Sequence, residues 1–373
     1  LHSACWIVYF EFMSAPILRL LSASLVLLAA HGRGQENAPS PEGVIIGHGS
    51  ARYRVDMKWA KADPEVAPVI NSHALAEGRD GRIYLVTDHP QNDFIVFEKD
   101  GRYVRSISQG LGGGHGLEIF EKDGTEYLLH IDCGWHFAAE GWKPKAGPGR
   151  VSLLTTAGDL VRKFPAPEEL GIADGKFMPC DAAYTPSGTL LIADGYGSNF
   201  IYEFTLEGKL VKKWGGPTKD DTNLSNAHGI SIDATDPRGP LVWVPSRSEN
   251  QIKAFTLDGT YVDTIDLPGA FAGQLVFRDD KIYTAVCWSK ENGTGKKLNQ
   301  SGFVLVLDRK TKHVLSAPGG SAPVYTNGKL QPMYQTESVF KHCHDLYVDS
   351  AGDIYVGEWN ADRRYPWKLN LVK

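Results

Sequence analysis

No block of basic residues stands out in this sequence beyond short pairs such as Lys296-Lys297, and the net charge is -5 at pH 7. Nucleic-acid binding surfaces normally carry clustered positive charge. The sequence therefore argues against a nucleic-acid partner. It favours a small or mildly charged ligand.

Long amphipathic helical patterns are also lacking, whereas residues typical of turns are abundant, with 40 glycines and 21 prolines among 373 residues. Cysteine is scarce, and only Cys133, Cys180, Cys287 and Cys343 lie beyond the N-terminal region. Four cysteines allow three disulfide pairings, and the sequence does not choose among them. Cys343 lies between two histidines, so it could equally stay free near a metal.

The N-terminal region resembles a secretory signal. From Met13 the sequence has one arginine, Arg19, then an apolar run at residues 20–30 and small residues. This run is short for a membrane span. We expect residues 1–12 to precede the true start, residues 13–34 to be a cleaved signal, and the product to be secreted or periplasmic without a stable membrane span. An uncleaved N-terminal anchor is the alternative. Residues 35–60 form a polar lead-in, and 61–373 the domain, which we expect to be monomeric.

Units of about 40 to 70 residues repeat through that domain, each with four strand-like runs joined by Asp-Gly type turns. The third unit is the clearest, with runs at 179–184, 189–193, 200–204 and 209–214. Short alternating runs bounded by turn residues predict strands and hairpins. A repeated unit that cannot bury both faces alone predicts a circular array. Six such units predict an all-β fold, a six-bladed β-propeller.

Histidines recur just before the first strand of these units. The position is occupied by His115, His228 and His344 in units two, four and six. Three alternate blades would direct these side chains to the channel mouth about a third of a turn apart. Three neutral imidazoles with open coordination positions suit Zn²⁺ and catalysis at a bound hydroxyl.

Other residues near these positions have less certain roles. His73 is a fourth ligand, a proton carrier or an ordinary loop histidine, and the last interpretation is favoured. Cys180 occupies the equivalent position of unit three, with no role assigned. His342 alternates with His344 and is expected to point elsewhere. Asp345 could orient a ligand, bind a structural ion or cap its own turn.

The stretch Asp194-Gly195-Tyr196-Gly197-Ser198-Asn199, together with the histidine motifs, resembles the peptidyl-α-hydroxyglycine α-amidating lyases. The resemblance is clear over about residues 171–369 and weaker over 60–170. It implies an NHL-repeat propeller that cleaves a C-terminal α-hydroxyglycine to a peptide amide and glyoxylate. It also implies a catalytic Zn²⁺ on the three histidines and a structural Ca²⁺ that uses Asp345. Tyr196 would be the general base, and Arg247 would contact the substrate or the tyrosine.

Two departures from that family affect the substrate more than the metal. A first-blade arginine of the family falls about where this chain has Asp88 and His89, so one cation of the active site is missing. Gly197 replaces a half-cystine, so that disulfide cannot form. The sequence leaves open whether the Asp88 departure abolishes lyase activity.

Three functions follow from these patterns. The leading hypothesis is an exported zinc lyase acting on a peptidyl-α-hydroxyglycine-like carbinolamide. The second is a metal-dependent hydrolase or lactonase on the same channel, favoured by an acid at position 88. The third is a non-catalytic NHL binding propeller that grips a partner, for example through the insert at residues 135–149.

Overall fold

The structure, a computed structural model, describes residues 40–139 and 143–373. The predicted signal at 13–34 and the residues before it lie outside the described residues. Within the described ranges the regular secondary structure is almost entirely β-strand, as predicted, with 3-10 turns at Pro167–Leu170, Arg247–Glu249 and Glu291–Gly293. None of the helices in these ranges is long and apolar enough to cross a membrane.

The strands form six antiparallel blades arranged in chain order. An N-terminal hairpin comprises β1 (Ile45–His48) and β2 (Ala51–Asp56). Blade 1 comprises β3 (Ser72–Glu77), β4 (Ile83–Thr87), β5 (Phe94–Phe97) and β6 (Tyr103–Ile107). Blade 2 comprises β7 (Gly114–Lys122), β8 (Thr125–Asp132), β11 (Arg150–Thr155) and β12 (Leu160–Lys163), with a small insert of β9 (Trp135–His136) and β10 (Lys145–Ala146). Blade 3 comprises β13 (Asp181–Tyr184), β14 (Thr189–Ala193), β15 (Phe200–Thr205) and β16 (Leu210–Gly215).

The second half repeats this arrangement. Blade 4 comprises β17 (Ser231–Asp233), β18 (Leu241–Ser246), β19 (Gln251–Thr256) and β20 (Tyr261–Asp266). Blade 5 comprises β21 (Ala270–Arg278), β22 (Lys281–Ser289), β23 (Phe303–Asp308) and β24 (Val314–Ser316), followed by a hairpin of β25 (Tyr325–Thr326) and β26 (Lys329–Leu330). Blade 6 comprises β27 (Cys343–Val348), β28 (Ile354–Glu358) and β29 (Trp367–Leu371).

The first strands of the six blades, β3, β7, β13, β17, β21 and β27, contact one another in a closed ring around the central channel. Six apolar clusters fill the six interfaces between neighbouring blades. The middle strands are buried on both sides; every residue of Ile83–Thr87 and of Leu241–Ser246 is buried. A blade covered on both faces is stable only between two neighbours, so the ring predicted from the repeats is confirmed.

The last blade takes its fourth strand from the other end of the domain. β2 pairs with β29, with Tyr53 opposite Leu371 and Val55 opposite Leu369. We expected residues 35–60 to be a lead-in that precedes the propeller, but residues 45–56 belong to its final sheet. The physical reason is that β29 would otherwise be an unpaired edge, and the pairing joins the two ends of the ring.

Candidate metal centre

Four histidine side chains meet at one mouth of the central channel. His73, His115, His228 and His344 are each no more than 5% exposed. Their ring centroids lie 4.4 Å apart for His115 and His344, 4.8 Å for His115 and His228, and 4.5 Å for His73 and His344. The structure thus brings together the three predicted histidines and adds His73.

Bulges in the innermost strands direct three of these histidines into the channel. In blade 2 Gly114 pairs with Asp132 and Gly116 with Ile131, so His115 has no partner in the ladder. In blade 6 Cys343 pairs with Glu358 and Asp345 pairs with Gly357. His344, which lies between them, is the extra residue of the bulge. The register of blade 1 shifts in the same way around His73. A bulge re-aims a side chain next to a site, which is the local cause of the convergence.

A close approach between blades also requires glycine beside His115. A Cβ on Gly116 would stand 2.7 Å from the backbone oxygen of Cys180, nearer than a carbon and an oxygen can approach. The same Cys180 oxygen lies 2.7 Å from His115 Nδ1. His115 therefore donates from Nδ1 to that carbonyl, and its Nε2 is left as the lone-pair nitrogen facing the other histidines.

The nitrogen atoms face one another at short range. His115 Nε2 lies 3.0 Å from His344 Nε2. Two nitrogens bound to one tetrahedral Zn²⁺ are separated by about 3.3 Å, since each bond is about 2.0–2.1 Å long. The ligating atoms fall into two overlapping groups within 4.8 Å, one of His73, His115 and His344, the other of His115, Cys180 and His228. His115 is common to both.

Burial keeps the histidines neutral. The pKa values of His115, His228 and His344 all lie well below 6.5, chiefly because burial disfavours the charged imidazole and secondarily because neighbouring histidines or Arg247 repel it. Neutral imidazole is the form that binds metal. Among the described residues, His73 Nδ1 and His344 Nδ1 are buried without a hydrogen-bond partner. The converging neutral nitrogens fit a bound metal ion, and of the two unpartnered nitrogens the one on His73 is a candidate ligand atom.

Tyr196 reaches this group from blade 3. Its Oη lies 2.8 Å from His228 Nε2 and 3.3 Å from His115 Nε2. The turn that carries it is organised by Asp194, whose carboxylate accepts from the backbone N–H groups of Met178 and Ser198, both at 2.7 Å. Burial raises the pKa of the Tyr196 phenol well above 10, and the positive charge of Arg247 partly opposes that shift.

Arg247 begins the 3-10 turn at Arg247–Glu249 and is only 3% exposed. Its guanidinium lies over the ring of Trp288 at 4.9 Å from the ring centroid. Nε and Nη2 have no hydrogen-bond partner in the described part of the chain. Arg247 therefore places a buried positive charge against Trp288, with two donor nitrogens that have no partner there.

A cavity of about 310 Å³ opens beside the histidines. Its polar lining includes His73, His115, His344, Tyr196 and Asp88, and its apolar lining is mainly aromatic, from Trp135, Phe137, Trp288 and Trp359. Two of these aromatic residues come from the insert in blade 2. The insert therefore forms part of the cavity wall, and the cavity volume suits a small molecule or a chain terminus.

No family model matches the chain. A mouse (Mus musculus) peptidyl-glycine alpha-amidating monooxygenase is 23% identical over 267 residues, which is 69% of this chain and 23% of the mouse protein. A Xenopus laevis peptidyl-glycine alpha-amidating monooxygenase A is 23% identical over 265 residues, again 69% of this chain and 24% of the relative. The chain spans about a quarter of the length of these curated relatives.

The chain is a six-bladed β-propeller with a distant similarity to the amidating enzymes. That similarity confirms the resemblance predicted from the sequence. Among solved structures, a gluconolactonase from Xanthomonas campestris superposes with a TM-score of 0.51 at 13% identity and covers 86% of this chain and 90% of its own. At that identity the likeness concerns the propeller fold alone.

Asp345 lies apart from the histidine group. It follows His344 on the innermost strand β27, and its Oδ1 accepts from the N–H of Leu346 in the same strand at 2.7 Å. Burial raises the pKa of Asp345 to about 7, and burial and the nearby Asp345 charge raise that of Asp181 well above its ordinary value. That Asp345 binds a structural Ca²⁺ stays a prediction.

The neighbours of His344 have structural contacts. His342 Nε2 lies 2.7 Å from Asn299 Oδ1 and accepts from the N–H of Gln300 at 3.0 Å, so it points away from the channel, as expected. In the described part of the chain, Cys133, Cys180, Cys287 and Cys343 are buried and free. Cys180 approaches His115 and His228, while its thiol has a pKa raised well above the ordinary value by burial.

Sequence reasoning missed the pairing of His73 with Asp88. His73 Nε2 lies 3.1 Å from Asp88 Oδ2, and both residues are buried. The favoured interpretation of His73 as an ordinary loop histidine does not agree with its place against His115 and His344. The sequence contained a signal for the place of His73. It stands at the start of unit one, as the three predicted ligands stand at the starts of their own units.

Proposed function

We propose that the chain is an exported metal-dependent lyase that cleaves a peptidyl-α-hydroxyglycine-like carbinolamide to an amide and glyoxylate. The observation that carries this proposal is the position of Tyr196 Oη, 2.8 Å from His228 Nε2 and 3.3 Å from His115 Nε2. The phenolate form of a tyrosine beside a cluster of neutral histidines can act as a base on a hydroxyl held at that cluster. The distant similarity to amidating enzymes supports the same chemistry.

The residues proposed to hold the metal are His115, His228 and His344. A Zn²⁺ bound there would supply Lewis-acid chemistry, lowering the pKa of a hydroxyl group next to it. Imidazole nitrogens are suitable donors for Zn²⁺ but also for iron, copper and nickel, so metal content has to be measured.

In this proposal Tyr196 takes the proton from the substrate hydroxyl. The carbon–oxygen double bond of glyoxylate forms as the bond between that carbon and the amide nitrogen breaks, and the nitrogen receives the electron pair and a proton. No water is consumed. Because burial raises the pKa of Tyr196, its phenolate needs positive charge nearby, and Arg247 provides some of it.

Arg247 has a second use in this reaction. The α-hydroxyglycine portion of the substrate carries a carboxylate, and the unpartnered Nε and Nη2 of Arg247 are suitable donors for it. The aromatic wall formed by Trp288 and its neighbours would receive the apolar part of the acyl group. These contacts would orient the carbon–nitrogen bond relative to Tyr196.

The direct test is glyoxylate release. Purified protein loaded with Zn²⁺ is incubated with α-hydroxyhippurate and with an α-hydroxyglycyl peptide, and glyoxylate and amide are quantified together. We expect the two products in equal amounts. No release above background from fully metallated protein would contradict the lyase proposal.

A metal-dependent hydrolase or lactonase is the second candidate, and Asp88 favours it. Asp88 places an acid in the cavity and pairs with His73 at 3.1 Å, and a histidine paired with a carboxylate can activate water. A panel of lactones and esters assayed on the same metallated sample separates the two candidates. Turnover of these compounds without glyoxylate release would favour the hydrolase.

A further inference from the structure

The His73 side chain has one nitrogen engaged and the other free. Nε2 lies 3.1 Å from Asp88 Oδ2, while Nδ1 is buried without a hydrogen-bond partner in the described part of the chain. If Nε2 carries the hydrogen and donates it to the carboxylate, Nδ1 is a lone-pair nitrogen. A buried nitrogen lone pair that accepts no hydrogen bond costs free energy, unless another group such as a metal ion binds it.

Asp88 is itself held in place. Its Oδ1 accepts from the backbone N–H of Asn71 at 2.9 Å, and its Oδ2 accepts from Asn71 Nδ2 at 2.5 Å. The carboxylate is 3% exposed and the Asn71 side chain 1%. These contacts fix the orientation of Asp88, which in turn fixes the ring of His73. Histidines that bind metal commonly donate their second nitrogen to a carboxylate in this way.

His73 belongs to the same mouth of the channel as the candidate ligands. The ligating atoms of His73, His115 and His344 lie within 4.8 Å of one another. The three residues come from neighbouring blades 1, 2 and 6, and each stands in a bulge of its innermost strand. His73 is therefore presented by the same backbone device as two of the predicted ligands.

We propose that His73 is a further metal ligand, bound through Nδ1 and oriented by Asp88, so that the centre holds four imidazoles. When His115, His228 and His344 bind the ion, the His73 imidazole fills the coordination position that a three-histidine zinc site leaves for water. A substrate oxygen must then bind as a fifth or sixth ligand. The site would suit an ion that accepts such coordination, a class that includes Co²⁺, Fe²⁺ and five-coordinate Zn²⁺.

The role of His73 rests on the metal centre of the proposed function, and it is tested by metal binding without reference to turnover. Metal-free protein is titrated with Zn²⁺ against a competing chelator, for wild type, His73→Asn and Asp88→Asn. We expect Asp88→Asn to weaken binding about 10- to 100-fold, as loss of an outer carboxylate does, and His73→Asn to weaken it at least as much. His89→Asn is the matched control, because His89 is equally buried, adjoins Asp88 and lies outside both ligand groups.

Co²⁺-loaded protein provides the second readout. Four-coordinate Co²⁺ absorbs visible light much more strongly than five- or six-coordinate Co²⁺. We expect weak bands for wild type and stronger bands for His73→Asn. Equal Zn²⁺ affinity and identical Co²⁺ spectra for wild type and His73→Asn would overturn the proposal. If those two results hold while the pH profile of turnover shifts in His73→Asn, His73 is a proton carrier instead.

Failure of this proposal is distinguishable from failure of the lyase. A wild-type protein that binds Zn²⁺ through His73 but releases no glyoxylate supports the ligand role and removes the lyase. A wild type that releases glyoxylate and has the same Zn²⁺ affinity as His73→Asn removes only the ligand role. Absence of Zn²⁺ and Co²⁺ binding by the wild type removes both. Far-ultraviolet circular dichroism of each metal-free variant verifies that the compared proteins are folded.

Discussion

His115 Nε2 and His344 Nε2 face each other at 3.0 Å across the channel mouth. His115 Nδ1 faces the Cys180 carbonyl at 2.7 Å, so His115 carries its hydrogen there and presents a lone pair to His344. Without metal, His344 must donate from Nε2. With metal, both Nε2 atoms can present lone pairs to the ion, because His344 can move its hydrogen to Nδ1. The two Nε2 atoms can therefore share a hydrogen bond when no metal is bound and can both bind the ion when it is present.

The first prediction concerns metal content. Elemental analysis of purified protein should find about one metal ion per chain. His228→Ala removes one imidazole and should lower Zn²⁺ affinity at least tenfold, whereas His342→Gln should leave it unchanged because His342 contacts Asn299 and Gln300 instead. Metal retained equally by wild type and His228→Ala would remove the assignment of His228. Absence of stoichiometric metal in the wild type would favour a non-catalytic binding propeller.

Tyr196→Phe tests the proposed base. Loss of the phenolic oxygen should reduce kcat/KM for glyoxylate release by about 100- to 10,000-fold, the usual contribution of general acid–base catalysis. Zn²⁺ affinity should remain within a few-fold of wild type, since Tyr196 is not proposed as a ligand. Tyr202→Phe is the control, because that hydroxyl lies in the same blade and contacts Asp174 rather than the histidines. Retention of wild-type turnover by Tyr196→Phe would exclude Tyr196 as the base.

Arg247 should recognise a carboxylate. Arg247→Lys loses the planar set of donors, and we expect kcat/KM for α-hydroxyhippurate to fall about 10- to 100-fold, corresponding to about 1.5–3 kcal/mol for hydrogen bonds to a charged group. An analogue without the carboxylate provides the control. Wild type should discriminate against it and the variant much less. Equal losses on both substrates would show that Arg247 acts on something other than the carboxylate.

Particular residues explain how far sequence reasoning reached. The strand at residues 189–193 and the turns around it are local patterns, so the blades and the positions of His115, His228 and His344 could be predicted. The contact of His73 with Asp88 depends on a bulge in blade 1, which alternation of residues does not reveal. The pairing of β2 with β29 joins opposite ends of the domain, and nothing in either segment alone identifies its partner.

The pH dependence of stability follows from the buried histidines. His115 has a pKa well below 6.5 when folded, chiefly through burial, and near 6.5 when unfolded. Below pH 6.5 the unfolded chain therefore binds more protons than the folded chain. The free energy of unfolding consequently decreases as the pH is lowered. For metal-free protein, the free energy of unfolding measured by chemical denaturation should fall less between pH 7 and pH 5.5 in His115→Asn than in wild type. Identical losses would mean that His115 does not titrate in this way.

Ring closure by the N-terminal hairpin gives the last prediction. Ile46, Tyr53 and Val55 are each 1% exposed and belong to the apolar cluster between blades 5 and 6. Full burial of one such side chain contributes about 1.5–3 kcal/mol. A chain beginning at residue 58 loses these contacts and leaves β29 as an open edge. It should unfold roughly 6–13 °C below a chain beginning at residue 40, since an unfolding entropy of about 2.1 cal/mol/K per residue makes 1 kcal/mol correspond to about 1.4 °C in a domain of this size.

Thermal unfolding followed by circular dichroism measures that difference, and size-exclusion chromatography detects association through the open edge. The control is Val44→Ser, since Val44 is 44% exposed and outside the cluster. Equal midpoints for the two truncated chains would mean that blade 6 is complete with three strands. Because His344 is carried by that blade, a loosened β29 should also weaken Zn²⁺ binding, which would link closure of the ring to the metal centre.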